Sequence, residues 1–455
     1  MISIKDKKHC CGCSACASIC PKHSIVMTED NEGFLYPHVD MDTCIDCGLC
    51  EKACNELHPF EKGEPQHVYA AINKNEAIRM RSSSGGVFYA LAEKVLNEGG
   101  VVFGARFDDN WQVVIDYAED MQGVEAFMGS KYVQARVGEA YKDAKRFLQQ
   151  GRKVLFSGTP CQVAGLHQFL RKPYDNLLSI DFVCHGTPSP KVWKLYLQEV
   201  IGKLHRISDI EFRNKANGWK NFGLNLRYND EDQTVSLLSS FHQNPYMKVF
   251  LQDIILRPSC YDCKAKGCRS QSNITIADFW GVNTVFPVMD DDKGTSLVFI
   301  NTDHGATLLD HQQFVIAETT YERVKPLNPA CYRSCSVHPK RDEFFHRLDE
   351  ENLIDLIEYC TRPPLKQRIR MGLGRCKTFV LRVLTSRFWG GRQELVRKNL
   401  VSIVNCSFLA IRKSLAFASG VKAKDGKAMI WKLESKVDYN KIIPLNSQRT
   451  LIASA

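Results

Sequence analysis

Two four-cysteine runs are the first residues in this chain that could do chemistry. Cys10, Cys13, Cys16 and Cys20 follow C-x2-C-x2-C-x3-C with Pro21 next, and Cys44, Cys47, Cys50 and Cys54 repeat the spacing. Thiolates at i, i+3 and i+6 wrap one iron–sulfide cube, while the fourth, just beyond, faces away and ligates a second cube. The spacing therefore assigns Cys10, Cys13, Cys16 and Cys54 to one 4Fe-4S cluster. Cys44, Cys47, Cys50 and Cys20 go to the other. Zinc prefers pairs of C-x2-C and four ligands per ion, which fits two matched runs poorly. Cys11 falls off the pattern and is read as a bystander.

Segment 1–58 resembles bacterial-type two-cluster ferredoxins on those runs. A second constellation lies further along the chain. Cys161 sits in Ser157-Gly-Thr-Pro-Cys-Gln162, Cys184 in Asp181-Phe-Val-Cys-His-Gly186, and Cys260 and Cys263 form a C-x2-C pair. Spacing alone leaves two readings of these four: a third metal site, or buried small residues, since free cysteine is often buried.

The elements that must position them read as α/β. Val68–Ile72 and Val101–Phe107 are strand patterns, and Val113–Tyr117 returns as a hairpin after Asp108-Asp109-Asn110. Ser84-Gly85-Gly86 precedes a helical stripe of Phe88, Leu91 and Val95 that closes at Gly99-Gly100. Val154–Phe156, a helix over Gln162–Leu170 and a strand over Leu177–Val183 make a βαβ unit with parallel strands. Pro190 opens a further helix. In open α/β sheets ligands bind beyond the carboxyl ends of the strands, where Cys161 and Cys184 would stand side by side.

The chain has 455 residues, 44% hydrophobic and 24% charged, which excludes global disorder and a small disulfide scaffold. Nineteen cysteines then point to metal or redox chemistry in a reducing compartment. The start, MISIKDKKHCC, has no apolar h-region, and the charge-free apolar stretch from Asn399 to Ile411 is 13 residues, short of the ~20 that span a bilayer. We expect a cytoplasmic protein. From Arg362 to Ala455 there are 20 Lys and Arg against 4 Asp and Glu, a net +16, while the rest of the chain is −7. This tail contains an amphipathic helical pattern of Leu400, Val401, Val404, Phe408, Ile411 and Leu415. It could lie on an anionic membrane surface, placing the protein at the inner membrane face, or bind a phosphorylated substrate or an acidic partner. It could also simply pack on the body. No nucleic-acid recognition motif is present.

Several body motifs occur together in order: Ser83-Ser84-Gly85-Gly86, Gly129-Ser130-Lys131-Tyr132, Gly158-Thr159-Pro160-Cys161-Gln162, Val183-Cys184-His185-Gly186 and Cys260-x2-Cys263. On these, residues 66–345 resemble the beta-subunit family of coenzyme F-420-reducing hydrogenase and formate dehydrogenase, which includes 7-hydroxymethyl chlorophyll a reductase. The resemblance implies an FAD-containing α/β body with its own 4Fe-4S cluster on Cys161, Cys184, Cys260 and Cys263. It implies that Ser84, Gly85 and Gly86 approach the flavin or its pyrophosphate, as a helix N-terminus suits an anion. It also implies that Gly129, Lys131 and Tyr132 lie near the ring, where Lys131 would stabilise negative charge. Packing glycines and a solvated lysine are the plainer reading of the same residues. His185 is a candidate proton donor. Asp278 and Trp280 could line the active site. Cys268, Cys331 and Cys335 have no assigned role.

The expected fold is a small α+β ferredoxin-like domain (1–58), an α/β body with a mixed sheet flanked by helices (66–150 and 151–345), and a basic helical tail (346–455). The expected function is a ferredoxin-linked flavin-dependent oxidoreductase with three 4Fe-4S clusters and FAD. Reduced ferredoxin or a redox enzyme would donate, and a small organic substrate or coenzyme F-420 would accept. The fused cluster module suggests a self-contained reductase. The alternatives are a non-catalytic electron carrier or adaptor, and a zinc-binding interaction protein.

Overall fold

Hydrophobic residues arranged for two-sided burial build the centre of the molecule. The computed structural model describes residues 1–202, 206–231, 233–309 and 312–363. The basic sequence beyond them, including the Leu400–Leu415 pattern, lies outside the described residues. Met1–Thr361 form one compact unit.

The cysteine-rich module is a hairpin, β1 (Ile25–Glu29) and β2 (Leu35–Val39), with two short helices, Ala15–Ile19 and Leu49–Lys52. The sequence repeat reappears in the backbone. Each helix starts after a left-handed residue, Ser14 at φ 63° and Gly48 at φ 71°, directly after the second cysteine of its run.

The body strands are β3 (His67–Asn73), β4 (Val101–Phe107), β5 (Val113–Ala118), β6 (Val154–Gly158), β7 (Leu177–Phe182), β8 (Ile207–Asn214), β9 (Gly223–Asp230), β10 (Gln233–Ser240), β11 (Ile274–Asp278), β12 (Ser296–Ile300) and β13 (Phe314–Thr319). Eight form one sheet in the order β13-β3-β12-β11-β7-β6-β4-β5, and β10-β9-β8 form a separate antiparallel sheet. The central pairs β4·β6, β6·β7 and β7·β11 are parallel, and the pairs on both flanks are antiparallel. Parallel strands buried on both faces read as continuous apolar runs. Accordingly Val101, Phe103, Val154 and Phe156 pack on one side with Tyr141, Phe147 and Leu166. Val102, Leu155 and Leu178 pack on the other with Val87, Leu91 and Val95 of the helix Val87–Asn97.

The expected strands and the parallel βαβ unit are present. The helix after β6 starts two residues early, at Pro160, because Thr159 and Gln162 form a reciprocal capping box. Ser189 caps the helix Pro190–Ile201.

The module is strapped to the body through its hairpin turn. Arg341 is buried and grips Glu32 with Nη1 at 3.0 Å and Nη2 at 2.5 Å, while donating to Leu256 O. Ser189 Oγ donates to Glu32 O at 2.5 Å. Gly33 (φ +88°) lies so close to Lys191 that a Cβ would stand 2.3 Å from the Lys191 Cβ. Removing one partner of a buried ion pair typically costs about 3–5 kcal/mol. Glu32→Ala should therefore lower the unfolding midpoint of the anaerobic protein clearly, and Gly33→Ala should do the same through the clash. Wild-type midpoints for both would mean that this turn does not hold the module.

Candidate functional site

The module's cysteines line two small cavities. One is walled by Cys20, Cys44, Cys47 and Cys50 with Pro21, Ile25 and Val39. The other is walled by Cys10, Cys13, Cys16 and Cys54 with Ile2, Ile4, Met27 and Pro37, and Cys11 joins it. These are the two crossed sets that the spacing assigns, and each has the thiol-rich, apolar character an iron–sulfur cube takes. Ile2 N donates to Cys50 Sγ at 3.2 Å. Asn55, next to Cys54, is buried with both amide atoms unpartnered. The first cavity faces outward: Cys47 is exposed, and so are Ile45 and Met41 beside it.

Cys161 stands in the first turn of the helix Pro160–Leu170, and Cys184 lies two residues past β7, on the adjacent strand's rim. Cys260 and Cys263 come in on the turn Pro258–Asp262 and its cap. Burial pushes the Cys184 thiol up, and Cys260, Cys161 and Cys263 push it further, so the four sulfurs share one electrostatic neighbourhood. Burial and Cys161 raise Cys260, and burial, Cys161 and Cys260 raise Cys263. Iron binding would release these protons, since thiolates are the ligands. Thr187 N donates to Cys260 Sγ at 3.4 Å, with Thr187 Oγ1 3.5 Å from the same sulfur, and Thr159 Oγ1, which donates to Gln162 Oε1, lies 3.2 Å from Cys161 Sγ. Lys266 Nζ donates to Cys184 O and Ala330 O.

Cys11 is where sequence reasoning fell short. Its buried thiol packs in one cluster with Cys13 and Cys161, between the module's inner cavity and the body's cysteines. Its carbonyl accepts from Gln134 Nε2 at 3.1 Å. Arg257, fully buried, donates to Cys10 O at 2.7 Å, to Gln134 Oε1 at 3.0 Å and to Cys10 Sγ at 3.5 Å. Gly12 (φ +72°) has no room for a side chain, since a Cβ would meet Arg257 Nη1 at 2.7 Å. Across from it, Gly165 lets the helix approach until a Cβ would lie 3.0 Å from Cys13 Sγ. The Cys10-Cys11 doublet was the available signal.

The two loops singled out for a flavin do meet. Ser83 Oγ lies 2.8 Å from Ser130 Oγ and accepts from Ser130 N at 2.8 Å. Several groups in them are already used. Ser84 Oγ donates to Thr295 O, Gly85 N donates to Ser296 Oγ, and Gly85 lies flush on Ala71 O. Gly86 (φ +84°) starts the helix Val87–Asn97. Lys131 folds back onto the carbonyls of Ala126, Met128 and Gly129, and the loss of water around its ammonium pushes its pKa down to about 7. Gly129 (φ +77°) faces open space. The Tyr132 ring packs on Phe212 and Phe250, with its hydroxyl toward Ser130 and Arg213.

Sequence reasoning missed Arg213, Lys215 and Trp219, and considered Asp278 and Trp280. Arg213 is buried, pairs with Asp278 at 3.0 Å and leaves its Nε–H unpartnered. Trp219 and Trp280 stack at 4.7 Å, and Trp280 is 42% exposed. Lys215 Nζ donates to Arg79 O, Ser84 O and Lys293 O, and burial lowers its pKa to about 7. An exposed indole beside an orphaned guanidinium N–H and a phenol fits a planar ring that gains negative charge. His185 lies on the Cys184 loop with Nε2 2.6 Å from Asp253 Oδ1.

Comparisons with known proteins follow the same partition. Residues 9–56 match the 4Fe-4S dicluster domain model. Residues 68–142 and 151–323 match the N-terminal and C-terminal models of the coenzyme F420 hydrogenase/dehydrogenase beta subunit. An uncharacterized protein of Methanocaldococcus jannaschii is 24% identical over 203 residues, 38% of this chain and 56% of the relative. An uncharacterized ferredoxin of that organism is 35% identical over 51 residues, 11% of this chain and 65% of the relative. An iron–sulfur subunit of its CoB–CoM heterodisulfide reductase is 39% identical over 62 residues, 11% of this chain and 9% of the relative. The chain thus spans less than two thirds of the length of each of these curated relatives. A chain of the xenon-derivatised F420-reducing NiFe hydrogenase complex from Methanosarcina barkeri is 17% identical with a TM-score of 0.39, covering 69% of this chain and 95% of that one.

Hydrogen bonds to cluster sulfurs set reduction potentials. If Cys260 ligates a cluster, Thr187→Val should therefore lower that cluster's midpoint potential with iron content unchanged, as read by redox titration followed by electron paramagnetic resonance (EPR). An unshifted potential would remove Cys260 as a tuned ligand.

Proposed function

Because the chain belongs to the coenzyme F420 hydrogenase/dehydrogenase beta-subunit family and carries a 4Fe-4S dicluster domain, we propose that it is an iron–sulfur oxidoreductase that gathers single electrons in its N-terminal module and passes them through a body cluster to FAD and an organic acceptor. The observation that carries this reading is the placement of Cys11, packed in one cluster with Cys13 of the module and Cys161 of the body.

The order of transfer follows from exposure and contact. Electrons would enter at the Cys20/Cys44/Cys47/Cys50 cluster, where Cys47 and Ile45 face solvent and a donor such as reduced ferredoxin can approach. They would pass to the Cys10/Cys13/Cys16/Cys54 cluster and across Cys11 to the Cys161/Cys184/Cys260/Cys263 cluster. When bound, FAD supplies the change from one- to two-electron chemistry. Around it Arg213 would hold negative charge, Trp280 would cover one face, and Tyr132 and Ser130 would offer hydroxyls. Lys131 would act by fixing the Gly129 turn through its three carbonyl bonds. The acceptor is a small organic molecule or coenzyme F420. A cytoplasmic location is consistent with this chemistry. Among the described residues no helix is long and apolar enough to cross a membrane.

Anaerobically purified protein should contain about 12 irons, at four per cluster, and one FAD. Cys161→Ala should lose about four of those irons. Absent flavin at full iron content would replace the reductase by an electron carrier, and zinc in place of iron would refute both. Cys11→Ala should keep iron and flavin while slowing reduction of the flavin by reduced ferredoxin in stopped flow, with Cys11→Ser as the control for packing. An unchanged rate would remove Cys11 from the path.

A further inference from the structure

Beside the body cysteines a set of different donors converges. His185 lies on the loop after β7, Asp253 follows the helix Pro245–Leu251, and Cys335 lies in the segment after Pro329–Cys331. These residues, far apart in sequence, place an imidazole nitrogen, a carboxylate oxygen and a thiol sulfur all within 4.8 Å of one another. Asp253 Oδ1 is 2.6 Å from His185 Nε2, and Cys335 Sγ is 3.7 Å from the same nitrogen.

The shared nitrogen decides between two chemistries. In a nucleophile–base–carboxylate relay the thiol and the carboxylate stand on opposite nitrogens of the ring. Here both face Nε2, so no proton can be handed through the imidazole from one to the other. Convergence of three donors on one point is instead the geometry of a ligand set. Each arm is also fixed from outside. Asp253 takes a left-handed backbone (φ 61°), a conformation that a short polar side chain such as aspartate's tolerates. Tyr261 Oη donates to its carbonyl at 2.5 Å. The His185 ring stands edge-on to Phe250 at 5.4 Å, and the protonated Cys335 Sγ donates to His185 O at 2.9 Å, a proton that zinc would displace.

We propose that His185, Asp253 and Cys335 hold a single zinc ion next to the body cluster. The mixture of nitrogen, oxygen and sulfur donors suits Zn2+, whereas calcium and magnesium take all-oxygen sets. His338, in a Cys335-x2-His338 spacing, has its Nδ1 engaged by Lys340 N at 3.2 Å and lies in the field of Asp253. The ion would tie the Cys335–His338 segment to the Cys184 loop and the Asp253 turn, closing the body cluster from solvent. It carries no electrons and does not depend on the flavin reading.

The test is elemental analysis and zinc K-edge X-ray absorption of the full chain, purified anaerobically from zinc-supplemented cells. We expect about one zinc per chain with one sulfur and otherwise nitrogen or oxygen neighbours. Cys335→Ser and Asp253→Asn should each reduce zinc at least about tenfold while leaving iron unchanged. Asparagine tolerates the left-handed backbone, so Asp253→Asn is the variant expected to fold undisturbed. Absence of zinc in the wild type, an all-sulfur zinc environment, or equal zinc in wild type and variants would overturn the proposal. So would loss of about four irons in Cys335→Ser, which would make Cys335 a cluster ligand.

Discussion

One buried guanidinium holds the metal-bearing parts of this chain together. Arg257 has no exposed surface, yet each of its nitrogens is engaged: Cys10 O and Sγ, Gln134 Oε1 and Leu35 O all accept from it. It also lies 4.2 Å over the Tyr36 ring. An unpaired buried charge is costly, and here each guanidinium nitrogen finds an acceptor. The consequence is that the Cys10–Gly12 turn cannot drift from the body, and Cys11 stays between Cys13 and Cys161. Arg341 repeats the device on the hairpin turn through Glu32. Module and body therefore belong to one compact unit.

The sheet supplies the other half of the arrangement. Parallel pairing of β6 and β7 brings the ends of adjacent strands to one rim, and Cys161 and Cys184 extend from it. The Pro258–Asp262 turn, anchored by Arg257 N to Thr187 O, brings Cys260 and Cys263 to the same place. Arg257 thus belongs by its side chain to the module's cysteines and by its backbone to the body's.

Much of this was legible in the sequence, for physical reasons. Cysteine spacing is dictated by the size of an iron–sulfur cube, so the two crossed sets could be read directly. The buried strands announced themselves because parallel strands are apolar on both faces. Val154–Phe156 and Leu177–Val183 differ from β6 and β7 only at their ends. What stayed hidden depends on long-range contact. The Cys10-Cys11 doublet marks Cys11 as unusual but not as a bridge, since Cys161 is 150 positions away. His185, Asp253 and Cys335 are likewise assembled only by the fold. Ser84 and Gly85 show the opposite case: a motif that draws attention in sequence spends its polar groups on Thr295 and Ser296, while Arg213, in an unremarked strand, carries the orphaned donor.

The central claim is that module and body iron are adjacent. Low-temperature EPR of the fully reduced chain tests it most directly. If Cys11 separates two clusters, the body-cluster signal will be broadened or split by spin–spin interaction with the module. A body signal that is sharp, and that stays the same in a Cys13→Ala variant lacking the inner module cluster, would contradict it.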